Sequence, residues 1–166
     1  MLLKRPMKTA DLGRGAAAGL VGGLLAAGAM SLAHRVLAEW SPEAQAAPSS
    51  RPEDPTVKVA SEATRLAGYR LRKEHKASAG SIVHYAFGAV VGALYGATAE
   101  IAPRAKTALG LPFGAAVWLG AHVVAVPALG LAGSPVHQPL GKEAEEFGLH
   151  LLYGSVTELG RRLLRR

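Results

Sequence analysis

The sequence predicts an all-α integral membrane protein, a bundle of four transmembrane helices that forms one membrane domain over residues 1–166. Hydrophobic residues make up 49% of the chain, glycines number 20, and the mean hydropathy is +0.19. Formal charges stand in short blocks between long uncharged runs, whereas an average soluble domain intersperses them. The lipid bilayer is therefore the first partner that the composition predicts.

Charge and composition argue against several other classes of protein. The formal charge of +7 comes from basic residues that flank apolar runs, and aromatic residues make up only 5% of the chain. This pattern is typical of membrane-flanking charge and predicts no nucleic-acid partner. The lack of cysteine excludes disulfides and thiolate chemistry. No nucleophile elbow, phosphate loop or zinc-protease motif is present, so we predict no enzyme, no cofactor and no metal site.

The first predicted span covers residues 14–34 and follows a basic segment that contains Lys4, Arg5 and Lys8. Small residues repeat every four positions in it and form a ridge for close helix packing, namely Gly15, Gly19 and Gly23. A cleaved signal peptide is the alternative, because Ala44-Gln45-Ala46 resembles a cleavage site. The uncharged run is longer than the core of a typical signal peptide, so we expect the helix to be retained.

A polar connector, residues 35–76, follows the first span. Its first part is rich in proline and predicts an extended linker. After Pro55 the pattern turns helical, with Ala60, Ala63, Ala67 and Leu71 on one weak apolar face. This helix either lies on the membrane surface or belongs to a soluble loop, and the sequence does not choose between them.

The second predicted span covers residues 79–101. The 23 residues from Ala77 to Ala99 carry no formal charge, and at about 1.5 Å each they are long enough to cross a hydrocarbon core of roughly 30 Å. A second small-residue ridge runs along this helix through Gly88, Gly92 and Gly96. We therefore expect this helix to pack closely against other helices.

The third and fourth predicted spans cover residues 109–131 and 143–162. An uncharged run from Thr107 to Gly141 contains Pro127, Pro135 and Pro139, so we place one helix in its first part and a turn at SPVHQPLG. The fourth span is the weakest, because only the 11 residues from Phe147 to Thr157 are uncharged. A helix inserted only halfway, or shielded inside the bundle, is the alternative.

Four spans place both termini on one side of the membrane. That side carries 10 Lys and Arg residues against 9 on the other, but the 9 include 8 in the long connector. Short flanks weigh more than long loops in the positive-inside rule. We therefore predict that both termini are cytoplasmic.

The ionisable residues segregate between the two sides. All six histidines fall on the side of the connector, and Glu100 and Glu158 fall on the other. Each of these glutamates is followed four residues later by an arginine, Arg104 and Arg162, a spacing that predicts two interfacial ion pairs within helices.

The histidine side is where we predict pH-responsive chemistry. His84, His122 and His150 come from three different spans, and Glu143 and Glu146 share a helix face with His150. These side chains could relay protons or bind a transition metal, or they could only form hydrogen bonds between helices. If they respond to pH, acid should protonate the imidazoles and loosen this end, unless the carboxylates compensate.

A series of motifs runs along the second half of the chain, namely His84-Tyr85-Ala86-Phe87-Gly88, Gly92, Tyr95-Gly96, Ala99-Glu100-Ile101-Ala102-Pro103, Gly110, Gly114, His122, Pro127-Ala128-Leu129-Gly130-Leu131, Pro135, Glu143, Glu146-Phe147-Gly148 and His150. In order and spacing these motifs resemble the YagU family of small uncharacterised bacterial inner-membrane proteins. The resemblance implies an inner-membrane location and a contribution to survival in acid, without an assigned activity. A second copy of the chain, or another membrane protein, is the candidate protein partner. The first span resembles that of the family only in being apolar. The connector looks shorter than the family's and lacks cysteine, so the resemblance implies nothing about this loop.

Overall fold

The computed structural model describes residues 9–40 and 53–166, and these residues form five helices. Their bounds are α1 Thr9–Trp40, α2 Pro55–Leu66, α3 Lys76–Ile101, α4 from Leu111 to Ala128, and α5 Leu140–Leu164. The predicted all-α class is confirmed. Lys4, Arg5 and Lys8, the cleavage-like Ala44-Gln45-Ala46 and most of the proline-rich linker lie outside the described residues.

Three helical segments are long and apolar enough to cross a membrane. They are Thr9–Trp40, Lys73–Ile101 and Lys106–Ala128, which correspond to the first three predicted spans. Helix α5 is not among these candidate spans. The structure therefore gives three candidate spans where the sequence predicted four.

Helices α1 and α3 pack antiparallel through their two glycine ridges. A Cβ atom added to Gly19 would lie 2.8 Å from the Cα of Gly96, and one added to Gly92 would lie 2.8 Å from the Cα of Gly23. Both distances are too short for real carbon atoms, so only glycine permits this approach of the two backbones. The pairing continues at the ends of the ridges, where Gly15 faces Gly96 and Gly23 faces Gly88.

Helix α5 packs antiparallel to both α1 and α4, again at glycines. Gly22 of α1 meets Gly160, whose added Cβ would lie 2.9 Å from the Gly22 Cα. Gly154 meets Gly114 of α4, with an added Cβ only 2.6 Å from the Gly114 backbone nitrogen. These contacts set α5 beside the first and third candidate spans, although its sequence contains no regular glycine ridge.

The link between α3 and α4 explains why the third helix begins later than predicted. Ala108, Leu109 and Gly110 have φ angles of 48°, 52° and 79°, which place three successive residues in the left-handed region. A right-handed helix cannot pass through such residues. Helix α4 therefore begins at Leu111 rather than Leu109.

The later part of the chain also differs from the prediction at helix boundaries. Helix α4 ends at Ala128, and Gly130 follows with a φ of 68°. The predicted SPVHQPLG turn contains a 3₁₀ turn at Pro135–His137, but its last two residues already belong to α5. Helix α5 thus extends beyond the predicted 143–162 at both ends.

The connector helix α2 packs on the start of α3. Asp54 caps its first turn by accepting a hydrogen bond of 2.7 Å from the Thr56 backbone N–H, and Ala60 is buried. The helix ends at Leu66, and Gly68 follows with a φ of 83°. Ala67 and Leu71 were expected on the same helical face, but they lie beyond the end of the helix.

Replacing Gly92 by Leu should loosen the bundle, because the new side chain must push α1 and α3 apart. We expect a loss of about 2 kcal/mol or more in stability, measured as thermal denaturation of the protein in detergent. The control is Gly148→Leu, since an added Cβ at Gly148 meets no heavy atom within 4 Å. Equal melting temperatures for the two variants would show that the glycine ridge does not hold the helices together.

Candidate functional site

Two clusters of ionisable side chains lie at opposite ends of the bundle, because the helices pack antiparallel. We call the first the histidine cluster, which consists of His34, His84, His122, His150, Glu143 and Glu146. The second is the arginine cluster, which consists of Asp11, Glu100, Glu158, Arg161, Arg162 and Arg165. The histidine cluster and the pair Glu100 and Glu158 thus lie at opposite ends of the bundle.

Two imidazole–carboxylate contacts join different helices in the histidine cluster. His34 Nε2 of α1 lies 3.2 Å from Glu146 Oε1 of α5, and His122 Nε2 of α4 lies 3.1 Å from Glu143 Oε2 of α5. The glutamates are mostly shielded, with 18% and 15% of their side chains exposed. A proton on either imidazole would convert the contact into an ion pair between helices.

The other two histidines of the cluster contact backbone carbonyls. His150 Nδ1 lies 2.7 Å from the Glu146 carbonyl oxygen, and His84 Nε2 lies 3.3 Å from the carbonyl oxygen of Ala27 in α1. In this arrangement each of these ring nitrogens carries the proton and donates it. The rings of His122 and His150 have centroids 6.0 Å apart, so the two would repel if both were protonated.

Four of the five predicted histidine-side residues are close neighbours, namely His122, Glu143, Glu146 and His150. His84 lies at the same end of the bundle, but its hydrogen bond is to a backbone carbonyl of α1. His34 is a member that the sequence analysis did not select, although its place at the end of the first span was visible. In the described parts of the chain, no group of three or more histidine or acidic residues could hold a metal ion.

A π-helical segment, Trp118–Ala125, presents His122 to the cluster. Pro127 follows this segment and has no N–H to donate, which removes one α-helical hydrogen bond from this part of α4. Trp118 stacks near the His122 ring with centroids 6.3 Å apart and meets Phe147 of α5 edge-on at 5.0 Å. Such π segments are frequent at functional sites.

At the other end, Glu158 is fully buried and forms the centre of the arginine cluster. Its carboxylate accepts from Arg161 Nε at 2.7 Å and from Arg162 Nε at 2.6 Å. The Tyr95 hydroxyl of α3 donates a third bond of 2.9 Å. The carboxylate is thus held by two guanidinium groups of its own helix and by a neighbouring helix.

Glu100 pairs across helices rather than within its own. Arg165 Nε donates to Glu100 Oε1 at 3.0 Å, and Arg161 Nη1 lies 3.7 Å from the same oxygen. The predicted Glu100–Arg104 pair is therefore wrong, because the packing of α5 on α3 brings other arginines closer. Arg165 also approaches Asp11 of α1 at 3.9 Å. Spacing within a helix could not reveal either contact.

The three candidate spans and their antiparallel packing define a multi-pass membrane protein. Residues 28–159 match the family model described as a protein of unknown function (DUF1440), and the chain belongs to that family. No curated protein and no solved structure matches the chain significantly. The matched region begins within α1 and includes the connector, so it is longer than the resemblance found in the sequence.

The family match covers the whole histidine cluster but only part of the arginine cluster. Asp11, Arg161, Arg162 and Arg165 lie outside residues 28–159. The histidine cluster also contains the interhelical contacts that a proton could change. We therefore take the histidine cluster as the candidate functional site.

Replacing Glu158 by Gln should strongly destabilise the bundle, because Arg161, whose side chain is only 4% exposed, would lose its main counter-charge. Breaking such a buried pair costs about 3–5 kcal/mol, which thermal denaturation in detergent would detect. The control is Glu62→Gln, which breaks the exposed pair with Arg65. The hydrogen bond to Glu62 raises the pKa of Arg65, so the guanidinium of this control pair keeps its charge. A Glu158 variant as stable as the control would contradict the buried network.

Proposed function

We propose that the protein is a pH-responsive protein of the bacterial inner membrane that contributes to survival in acid, and that the histidine cluster is its responsive part. The observation that carries this proposal is the pair of interhelical contacts, His34 with Glu146 and His122 with Glu143. The proposal includes no catalytic step and no cofactor. The resemblance to the YagU family supports the location and the link to acid.

A fall in pH from about 7 to 5 crosses the unperturbed imidazole pKa of roughly 6.5, while carboxylates titrate near 4.3. A proton taken up by His34 or His122 in this range would turn its contact with Glu146 or Glu143 into an ion pair. The resulting ion pairs would connect α1 to α5 and α4 to α5. Moderate acid should thus tighten this end of the bundle, because the carboxylates lie where they compensate the new charges.

The number of carboxylates limits how far acid can stabilise this end of the bundle. Two carboxylates face four imidazoles, so protons on His84 or His150 would add charge without a free partner in the cluster. His150 lies close to His122, and repulsion between the two rings would oppose the protonation of both. Stability should therefore rise first and fall at lower pH, when the glutamates themselves are protonated.

We further propose that α5 crosses the membrane as a fourth span. Its 25 residues would extend about 37 Å, and it lies antiparallel to α1 and α4. In its second half Thr157, Glu158 and Arg161 are buried inside the bundle, whereas Leu159 and Leu163 are exposed. The half-exposed Arg162, near the end of the helix, pairs with Glu158. Such inward burial and pairing is how spanning helices tolerate charges.

With four spans and cytoplasmic termini, the histidine cluster would lie on the periplasmic side. It would then be exposed to the compartment whose pH follows the medium. Both conclusions depend on the sidedness of the chain, and the reporter experiment below tests that directly.

A purely structural or interaction role is the second candidate. Its support is the bond between His84 and the Ala27 carbonyl, which joins α1 and α3 without any need for protonation.

A proton or solute transporter is less well supported. A transport path would need polar groups through both halves of the bundle, and at the other end Glu158 and Arg161 are already paired and buried.

The double variant His34→Gln, His122→Gln tests the proposed response. The parent should gain about 4–8 °C in melting temperature between pH 7.5 and 5.5, if each of the two ion pairs adds about 1 kcal/mol. The double variant should show no such rise, because glutamine cannot take up a proton. Cells that carry it should also survive acid less well than cells with the parent.

The matched control is His75→Gln, His137→Gln, which removes two exposed histidines from the same side of the membrane. It should retain the rise in melting temperature and the acid survival of the parent. If both double variants follow the parent between pH 7.5 and 5.5, the histidine cluster has only a packing role.

Reporter fusions after Arg166 and within residues 46–50 test the fourth span and the orientation. We expect opposite sides for the two fusions, with the carboxyl terminus in the cytoplasm, because four spans separate the two positions by three crossings. The same side for both would mean that α5 does not cross the membrane. A periplasmic carboxyl terminus would place the histidine cluster in the cytoplasm.

A further inference from the structure

A polar cavity of about 240 Å³ lies at the arginine end of the bundle, between the end of α3, the link to α4 and the end of α5. We propose that this cavity binds the phosphate headgroup of an anionic phospholipid. Its lining residues are Glu100, Lys106, Arg161, Arg162 and Arg165. The site is separate from the histidine cluster and does not depend on the proposed pH response.

The charges of the site are complementary to one phosphodiester. Four of the five lining side chains are cationic and one is a carboxylate. Asp11 and Glu158 pair with these arginines. With these two carboxylates included, the net charge of the seven side chains is one positive charge. A single phosphodiester would neutralise that charge, and a guanidinium can bind phosphate oxygens in a bidentate manner.

Existing contacts already hold the guanidinium groups in place. Arg161 is fixed by Glu158, and Arg162 donates from Nη2 to the Lys106 carbonyl oxygen at 2.9 Å as well as to Glu158. The Arg162 side chain is nevertheless 43% exposed and can reach a ligand. Among the described residues, the Lys106 ammonium forms no ion pair, so it is the cation that a phosphate would engage most easily.

The surroundings favour a lipid over a free phosphate ion. Exposed apolar side chains stand next to the cavity residues along the chain, including Ile101, Leu109 and Leu163. The cavity also lies at the ends of helices that are candidate membrane spans, where headgroups meet the hydrocarbon core. Basic pockets between membrane helices are known headgroup sites. A headgroup in the cavity could thus place its acyl chains against this apolar rim.

The test measures melting of the full-length protein in a neutral detergent while phosphatidylglycerol is added. We expect phosphatidylglycerol to raise the melting temperature, and phosphatidylcholine to raise it much less at equal concentration. Lys106→Gln should require at least a fivefold higher phosphatidylglycerol concentration for half of the effect. Lys106→Arg should restore most of the parent response, because it keeps the charge.

The matched control is Lys142→Gln, which removes the same charge at the opposite end of the bundle and should titrate like the parent. Inorganic phosphate, added alone at millimolar concentration, separates a free-anion site from a lipid site. A full stabilising effect of phosphate alone would overturn the lipid assignment. Equal effects of the two phospholipids, or identical titrations of Lys106→Gln and Lys142→Gln, would overturn the site itself.

Discussion

Direct backbone contact at glycines is the constraint on which the rest of this bundle depends. At three interfaces a glycine of one helix lies against the backbone of another: Gly19 with Gly96, Gly22 with Gly160, and Gly114 with Gly154. In lipid the hydrophobic effect does not drive helices together, so close van der Waals packing of this kind has to do so. These contacts also fix the register. A shift of one helical turn, about 5.4 Å, would separate the paired ionisable residues at both ends.

The register has chemical consequences because the charges of the chain are placed at the ends of its helices. A buried carboxylate such as Glu158 would be strongly unfavourable alone, and removing water from an ion pair also costs free energy. The cost is offset here by four hydrogen bonds from three residues, of which one, Tyr95, belongs to another helix. The network therefore acts together with the glycines, since it is satisfied only when α3 and α5 are correctly aligned.

Much of this organisation could be predicted from the sequence. The three candidate spans, the two glycine ridges and the separation of the histidines from Glu100 and Glu158 all follow from patterns within single helices. The partners of individual side chains did not follow. Glu100 was assigned to Arg104 from their spacing, yet it pairs with Arg165, which is 65 residues away in the sequence.

The missed features share one physical reason, which is that they depend on how different helices are aligned. The contact of His34 with Glu146 requires the α1–α5 register, which isolated glycines such as Gly22 and Gly160 set without forming a repeat in α5. Three successive left-handed residues before α4 were equally invisible, because two of them are not glycine. Patterns along one helix thus indicate which face is packed, but not against which residue.

The two ends of the bundle differ in the kind of charge they hold, and this difference bears on function. Arginine keeps its proton at every physiological pH, whereas imidazoles change charge within that range. Under the proposed function, moderate acid would therefore alter contacts in the histidine cluster, while the glycine contacts hold the helices in register. Helix α5 contributes residues to both clusters. A shift of α5 caused by new ion pairs in the histidine cluster would therefore also act on the arginine cluster.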